Sequence, residues 1–439
     1  MNSRAVKSTL SMLVLVGFVL LFILSALSAY GQTEFRFPRP EFSSDYQHKE
    51  MSLPPAALTP PELDIFLLLF LLACTAWAVL YRRSRNWVLF LSILSLGYFG
   101  FYRHGCVCSV GSLQNVLDAV IGSGEALPLL IALFFLIPLL ASLYFGRIFC
   151  AAVCPLGAIQ ELCAIHPVQV PKAMDQALSM LAYAYLGITV VGIWTGCGYL
   201  ICRYDPFVGF FRQGENVNIL LAGGLLLLAG IFIARPYCRY LCPYGVLLGW
   251  TSTFSRRHAT VTPAECIQCR LCEEACPYNA IVIPAPAEKI ESRKRGTQRI
   301  GRLLLVTPIV VLLAAGTGWS VHPFLSRLHH RVALAERIAA EEAGRVEGTT
   351  IASDAFRDGG ETIDELYAEA WSIRRQFKPL SAGLGAFLGL VLCVRLYRLS
   401  RLRHENDYVP DKHACLSCAR CFKYCPVEKE NAPAKTIPL

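Results

Sequence analysis

Charge is what this sequence has least of. Only 17% of its 439 residues are Asp, Glu, Lys or Arg, against 54% hydrophobic, and that balance excludes an ordinary soluble protein. It has no C-x-x-C-H stretch, which excludes covalently attached haem of that type, and its nine histidines all fall at span ends or in loops. No apolar run carries a charge at its middle, as the substrate path of a transporter would want. The net charge of +9 comes without any groove-reading motif, so no nucleic acid is expected. Its basic residues stand beside apolar runs, where membrane orientation accounts for them.

What the sequence does have is apolar length. Runs near 9–29, 63–81, 87–102, 127–145, 177–195, 218–234, 302–320 and 380–397 are each read as crossing a hydrocarbon layer about 30 Å thick. The first can equally be a signal peptide, because "MNSRAVK" precedes it and it ends in the small residues of "SALSA". The basic loops at 81, 291 and 395 belong inside by the positive-inside rule, which puts both termini on the cytoplasmic side of a bacterial inner membrane. The segment 321–379 mixes charges of both signs and reads as one or two solvated amphipathic helices. The fold class is an all-α polytopic membrane protein of about eight transmembrane helices with a split two-cluster ferredoxin-like cytoplasmic module. Its parts are an N-terminal anchor or signal segment with a periplasmic linker (1–62), a duplicated transmembrane redox core (63–255), a first ferredoxin segment (256–296), a transmembrane hairpin with its periplasmic helical loop (297–400) and a second ferredoxin segment (401–439).

Nineteen cysteines are many for such a chain, and eight of them have cluster spacing. Cys266, Cys269, Cys272 and Cys276 follow C-x2-C-x2-C-x3-C-P, and Cys415, Cys418, Cys421 and Cys425 repeat it. This is the run of bacterial ferredoxins, whose fourth cysteine ligates the other cluster of the pair. Two [4Fe-4S] clusters are expected, one on Cys266, Cys269, Cys272 and Cys425, the other on Cys415, Cys418, Cys421 and Cys276. Zinc would have no need of the three-plus-one pattern.

Half of such a run occurs twice more. "GRIFCAAVCPLG" supplies Cys150 and Cys154, and "RPYCRYLCPYG" supplies Cys238 and Cys242. Neither pair completes a four-thiolate site alone, so the two are expected to meet in one further metal or iron–sulfur centre near the inner surface. Ahead of each lies an outer pair, Cys106 with Cys108 and Cys197 with Cys202, so the pattern is an internal duplication over roughly 87–162 and 177–250. The outer four either hold another metal or cluster, or form disulfides.

Paired CxxxCP segments joined to two ferredoxin runs resemble the polyferredoxin part of NosR/NirI-type proteins and of NapH-type quinol dehydrogenases. The resemblance covers roughly 87–285 and 410–430. It implies electron transfer through the membrane between the quinone pool or a cytoplasmic donor and a respiratory acceptor. The partners expected are lipid, redox proteins or quinone, and a quinol dehydrogenase activity is one form this would take. Two departures stand out: two spans separate the ferredoxin runs, and the large flavin-binding domain of NosR is missing. "EGTTIASDAF" is similar to a flavin-attachment site, which would make Thr350 an FMN acceptor; the alternative is a helix start capped by Ser353. The competing class is a regulatory or metallo-oxidase assembly protein of the CcoG type.

Overall fold

Three of the apolar runs stop short at residues with left-handed backbone, and the cysteine segments follow those stops. The computed structural model describes residues 61–105, 108–122, 126–212, 217–261, 266–284, 293–400 and 407–426, all within one unit, Thr59–Leu439. The run 9–29, residues 30–60 of the linker and Cys106 lie outside the described residues.

In lipid only intrasegment hydrogen bonds satisfy an isolated backbone, so apolar runs become helices. Among the described residues four are long and apolar enough to cross a membrane: Glu62–Leu80, Lys172–Trp194, Arg295–Ser326 and Ile363–Ser400. These coincide with four of the expected spans. The other three described runs are shorter or irregular. Arg85–Ser95 passes into a π-helical stretch, Leu96–Tyr102, and then meets His104 (φ +50°) and Gly105 (φ +63°). Leu129–Phe145 ends at Gly146 (φ +76°), and Val217–Phe232 ends just before Arg235 (φ +50°). At 17 residues a helix is about 25 Å long, shorter than the apolar layer, which keeps the following cysteines close to it.

The paired helices Arg293–Ser326 and Ile363–Ser400 depart from expectation in the other direction. With 34 and 38 residues they are about 51 and 57 Å long, so the two ends of the expected loop 321–379 are their continuation and its middle forms separate helices. Added side chains at Gly318 and Gly385 would collide with the carbonyls of Ser381 and Ala314, and this close approach is what small residues allow between membrane helices. Beyond the apolar stretch, Leu366, Ala370, Ile373 and Phe377 bury a small core with Val332, Ile338 and Phe356 of the helices His330–Glu342 and Ile351–Asp358. Val191, near the end of the Met180–Trp194 helix, joins that core.

At the other end, short helices and one strand pair hold the ferredoxin segments. Ile281–Val282 pairs antiparallel with Val409–Pro410, with Ile281 opposite Pro410 and Val282 opposite Val409. The Asp411 amide also donates to the Ala280 carbonyl at 2.7 Å. The tail of the first cysteine run is thereby fixed beside the head of the second, although two long helices separate them in sequence.

Candidate metal centres

Each ferredoxin run opens with the same backbone shape. Gln268 and Arg270 in the first, and Ser417 and Ala419 in the second, have left-handed φ between +52° and +63° at matching places. Alternating handedness turns successive amides to one side, forming a concavity suited to an anionic centre. The Ser417 amide donates to Cys415 Sγ at 3.4 Å. One cavity is lined by Cys266, Cys269 and Cys272 of the first run and by Cys425 of the second. Cys276 lies instead within electrostatic reach of Cys415, Cys418 and Cys421. Cys421 is also within electrostatic reach of Cys272, so the thiols of the two runs are neighbours in one region.

Cys272 and Cys276 are buried, whereas Cys269 is exposed. Burial pushes Cys415 up to about 12 and Cys272 up to about 11, so loading a metal must displace protons. A lone zinc would draw its ligands to within about 2.3 Å of one point. Among the described residues no three Cys, His, Asp or Glu side chains converge so tightly.

The CxxxCP segments show why that motif has its proline and glycine. Cys154 and Cys242 are N-caps in extended conformation, and Pro155 and Pro243 start the helices Pro155–Cys163 and Pro243–Thr253, where a missing N–H costs nothing. Gly157 and Gly245 occupy the third helical position. A Cβ on Gly157 would lie 3.3 Å from both Arg235 Nη1 and the Cys150 carbonyl; on Gly245 it would lie 3.2 Å from Arg147 Nη2 and 3.3 Å from the Cys238 carbonyl. Each half's glycine thus receives the other half's arginine, and each arginine stands three residues before its own first cysteine. Cys154 lies within electrostatic reach of Cys150, Cys238 and Cys242, so the two pairs meet. Gln160 Nε2 donates to Cys238 Sγ at 3.3 Å, and the Gly245 amide to Cys242 Sγ at 3.3 Å.

Of the outer cysteines that are described, Cys108 and Cys202 lie within electrostatic reach of each other, whereas Cys197 packs elsewhere. Cys108 lines one apolar cavity with Cys154, Ser109, Phe99, Phe134 and Phe149, so it faces the CxxxCP set. Cys202 lies against Gly111 and receives the Gln114 amide at 3.6 Å. Cys197 points elsewhere, packing against the helical-loop core with Thr195 Oγ1 at 3.4 Å. The reason is local: Cys108 caps the Ser109–Ile121 helix, which turns it inward, whereas Cys197 lies between Gly196 (φ +77°) and Gly198 (φ +76°). The described cysteines form no disulfide. Thr350 is a helix cap: its Oγ1 accepts from the Ser353 amide at 3.2 Å and Ser353 Oγ accepts from the Thr350 amide at 2.8 Å. The cap is Thr350 itself, with Ser353 the other half of a capping box.

Sequence reasoning missed Glu161. This carboxylate is 3% exposed and bonded to Arg85, to Arg235 Nε at 2.6 Å, to Arg420 Nη2 at 2.7 Å and to Tyr278 Oη at 3.3 Å. Burial alone would raise its pKa, but Arg235, Arg85 and Arg420 outweigh that and hold it far below the usual carboxylate range. The available signal was the arginine repeated before each CxxxC.

Residues 127–168 and 216–261 match one and the same family, described as a 4Fe-4S binding domain, and residues 259–282 match a second family of that description. The chain is 28% identical over 219 residues to the protein NirI of Paracoccus denitrificans, covering 46% of this chain and 32% of NirI. It is 29% identical over 212 residues to the regulatory protein NosR of Pseudomonas aeruginosa, covering 43% of this chain and 28% of NosR. The chain carries 4Fe-4S binding domains and is similar to NirI and NosR. Another relative is the methylamine utilization ferredoxin-type protein MauN of Paracoccus denitrificans, 25% identical over 162 residues, 36% of this chain and 55% of MauN. The chain spans less than a third of the length of NirI and of NosR. No solved structure matches it.

Proposed function

We propose that this protein is an iron–sulfur electron carrier of the bacterial inner membrane, with its ferredoxin segments in the cytoplasm. It passes electrons between a cytoplasmic or quinone-pool donor and a respiratory acceptor. Cys266, Cys269, Cys272 and Cys425 hold one [4Fe-4S] cluster, and Cys415, Cys418, Cys421 and Cys276 the other. Cys150, Cys154, Cys238 and Cys242 hold a third redox centre between the two core halves. Clusters, when bound, supply one-electron steps whose potentials depend on ligation, hydrogen bonds to sulfur and burial. The donors from Gln160, Gly245 and Ser417 to sulfur tune those potentials.

One observation carries the reading. Arg235 lies within electrostatic reach of both Cys238 of the core and Cys418 of the second ferredoxin run, and it is itself fully buried. The two thiol sets therefore lie beside one buried side chain, which supports a short path for electrons between them. The basic loops support the cytoplasmic orientation.

Addition of a quinol to purified membranes, followed by the iron–sulfur absorbance, tests the carrier reading. Bleaching of the ferredoxin clusters at catalytic rates is expected. Intact clusters that no quinol and no cytoplasmic reductant reduces would overturn it in favour of a regulatory or CcoG-like assembly role, which the description of NosR as a regulatory protein favours.

A further inference from the structure

The two CxxxCP segments and the two ferredoxin runs meet at one side chain, Glu161. Through Arg235, Glu161 reaches the first CxxxCP segment, because Arg235 also donates to the carbonyls of Cys150 and, at 2.9 Å, Ala151. Arg235 itself belongs to the second CxxxCP segment, three residues before Cys238. Through Tyr278, two residues past Cys276, Glu161 touches the first ferredoxin run. It touches the second run through Arg420, which lies between Cys418 and Cys421, and through Arg85, whose Nη1 donates to the Cys418 carbonyl at 2.7 Å. Arg420 also donates to the Ala164 carbonyl at 3.2 Å, closing the join at the end of the core helix.

The charges do not balance within this cluster. One carboxylate meets three guanidiniums, and Glu161 and Arg235 are almost wholly out of water. Isolated positive charge is costly in such a place. Thiolate-held centres on either side are anionic and become more so on reduction, which gives the excess positive charge a counterpart.

We infer that Glu161 is the positioning residue of this electron carrier: it docks the second ferredoxin cluster against the membrane core and sets the potentials on both sides of the join. It touches no thiolate and acts through Arg235, Arg85 and Arg420. The inference rests on the reading of the four segments as cluster-bearing.

The test uses the full chain in lipid nanodiscs, comparing wild type with Glu161→Gln and Arg420→Gln. The readouts are iron and sulfide content, midpoint potentials, and the magnetic coupling between ferredoxin and core signals in electron paramagnetic resonance. With iron retained, Glu161→Gln removes negative charge and should raise the potentials on both sides of the join. Arg420→Gln removes positive charge and should lower the potential of the Cys418 cluster alone, and both changes should weaken the coupling. A merely structural role would give shifts without opposite signs. If Glu161→Gln fails to hold iron, Arg420→Gln alone decides by the sign of its shift. Unmoved potentials and coupling in variants that keep their iron overturn the inference and leave the carrier reading standing; a wild type with no iron–sulfur signals sinks that reading instead.

Discussion

The two halves of the core carry the same Arg, Cys, Cys, Pro and Gly at the same spacing, yet seven residues after the second cysteine one has Glu161 and the other Gly249. The first half grips the second ferredoxin run with a carboxylate. The second half makes room for it: a Cβ at Gly249 would lie 2.8 Å from the His413 ring, and Arg147 of the first half donates to the His413 carbonyl at 3.2 Å. One ferredoxin segment therefore docks across both halves of a near-symmetric core through unlike contacts. Duplication supplied the shared thiol site, and divergence at one position supplied a way to attach a partner to it.

The comparison can be broken first at the arginines. Arg235 and Arg147 are equivalent in sequence, but Arg235 is the fully buried partner of Glu161. Arg235→Met removes the fully buried partner of Glu161, which keeps Arg85 and Arg420, and should cost up to about 3 kcal/mol, whereas Arg147→Met should cost clearly less. Thermal unfolding of the two variants in detergent checks the difference, and equal losses would mean that the halves are energetically alike.

A pH titration comes next in size. Burial, and then the charge of Lys412, pull His258 from 6.5 down to about 4. Its folded pKa lies below its unfolded one, so the neutral form is favoured in the fold. That stability is fully present above about pH 6.5 and is lost as pH falls toward 4, at most about 3 kcal/mol. Lys412 bonds the Ser255 carbonyl at 2.8 Å, so acid should loosen the second ferredoxin segment from the core. Hydrogen exchange of residues 407–426 against pH, with His258→Gln flattening the curve, checks this.

Gly249→Ala pushes a methyl group into His413 and should cost about 1–3 kcal/mol as overpacking. Gly157→Ala and Gly245→Ala, whose contacts are looser, should cost less and about equally. Thr350→Ala should cost about 1 kcal/mol, the loss of a cap, with no effect on any iron–sulfur signal.

The thiol sets were legible because their information is local. Spacing within a dozen residues marks each run as a ligand set, whereas the fold alone brings Cys425 to the cavity lined by Cys266, Cys269 and Cys272. Apolar length told less about the spans, because left-handed stops at His104, Gly146 and Arg235 depend on contacts the run does not contain. Equal order in sequence likewise did not reveal the different backbones around Cys108 and Cys197. Glu161 was not legible at all. A lone glutamate in a helix is ordinarily solvated, and only partners 74 and 259 residues away make this one a buried hub.

The most direct measurement of the central claim, one redox centre shared by the two halves of the core, is electron paramagnetic resonance of reduced membranes from Cys150→Ser and Cys238→Ser variants beside wild type. Both variants should lose the same resonance and keep both ferredoxin signals. Loss of a different resonance from each, or of none, would contradict a shared centre.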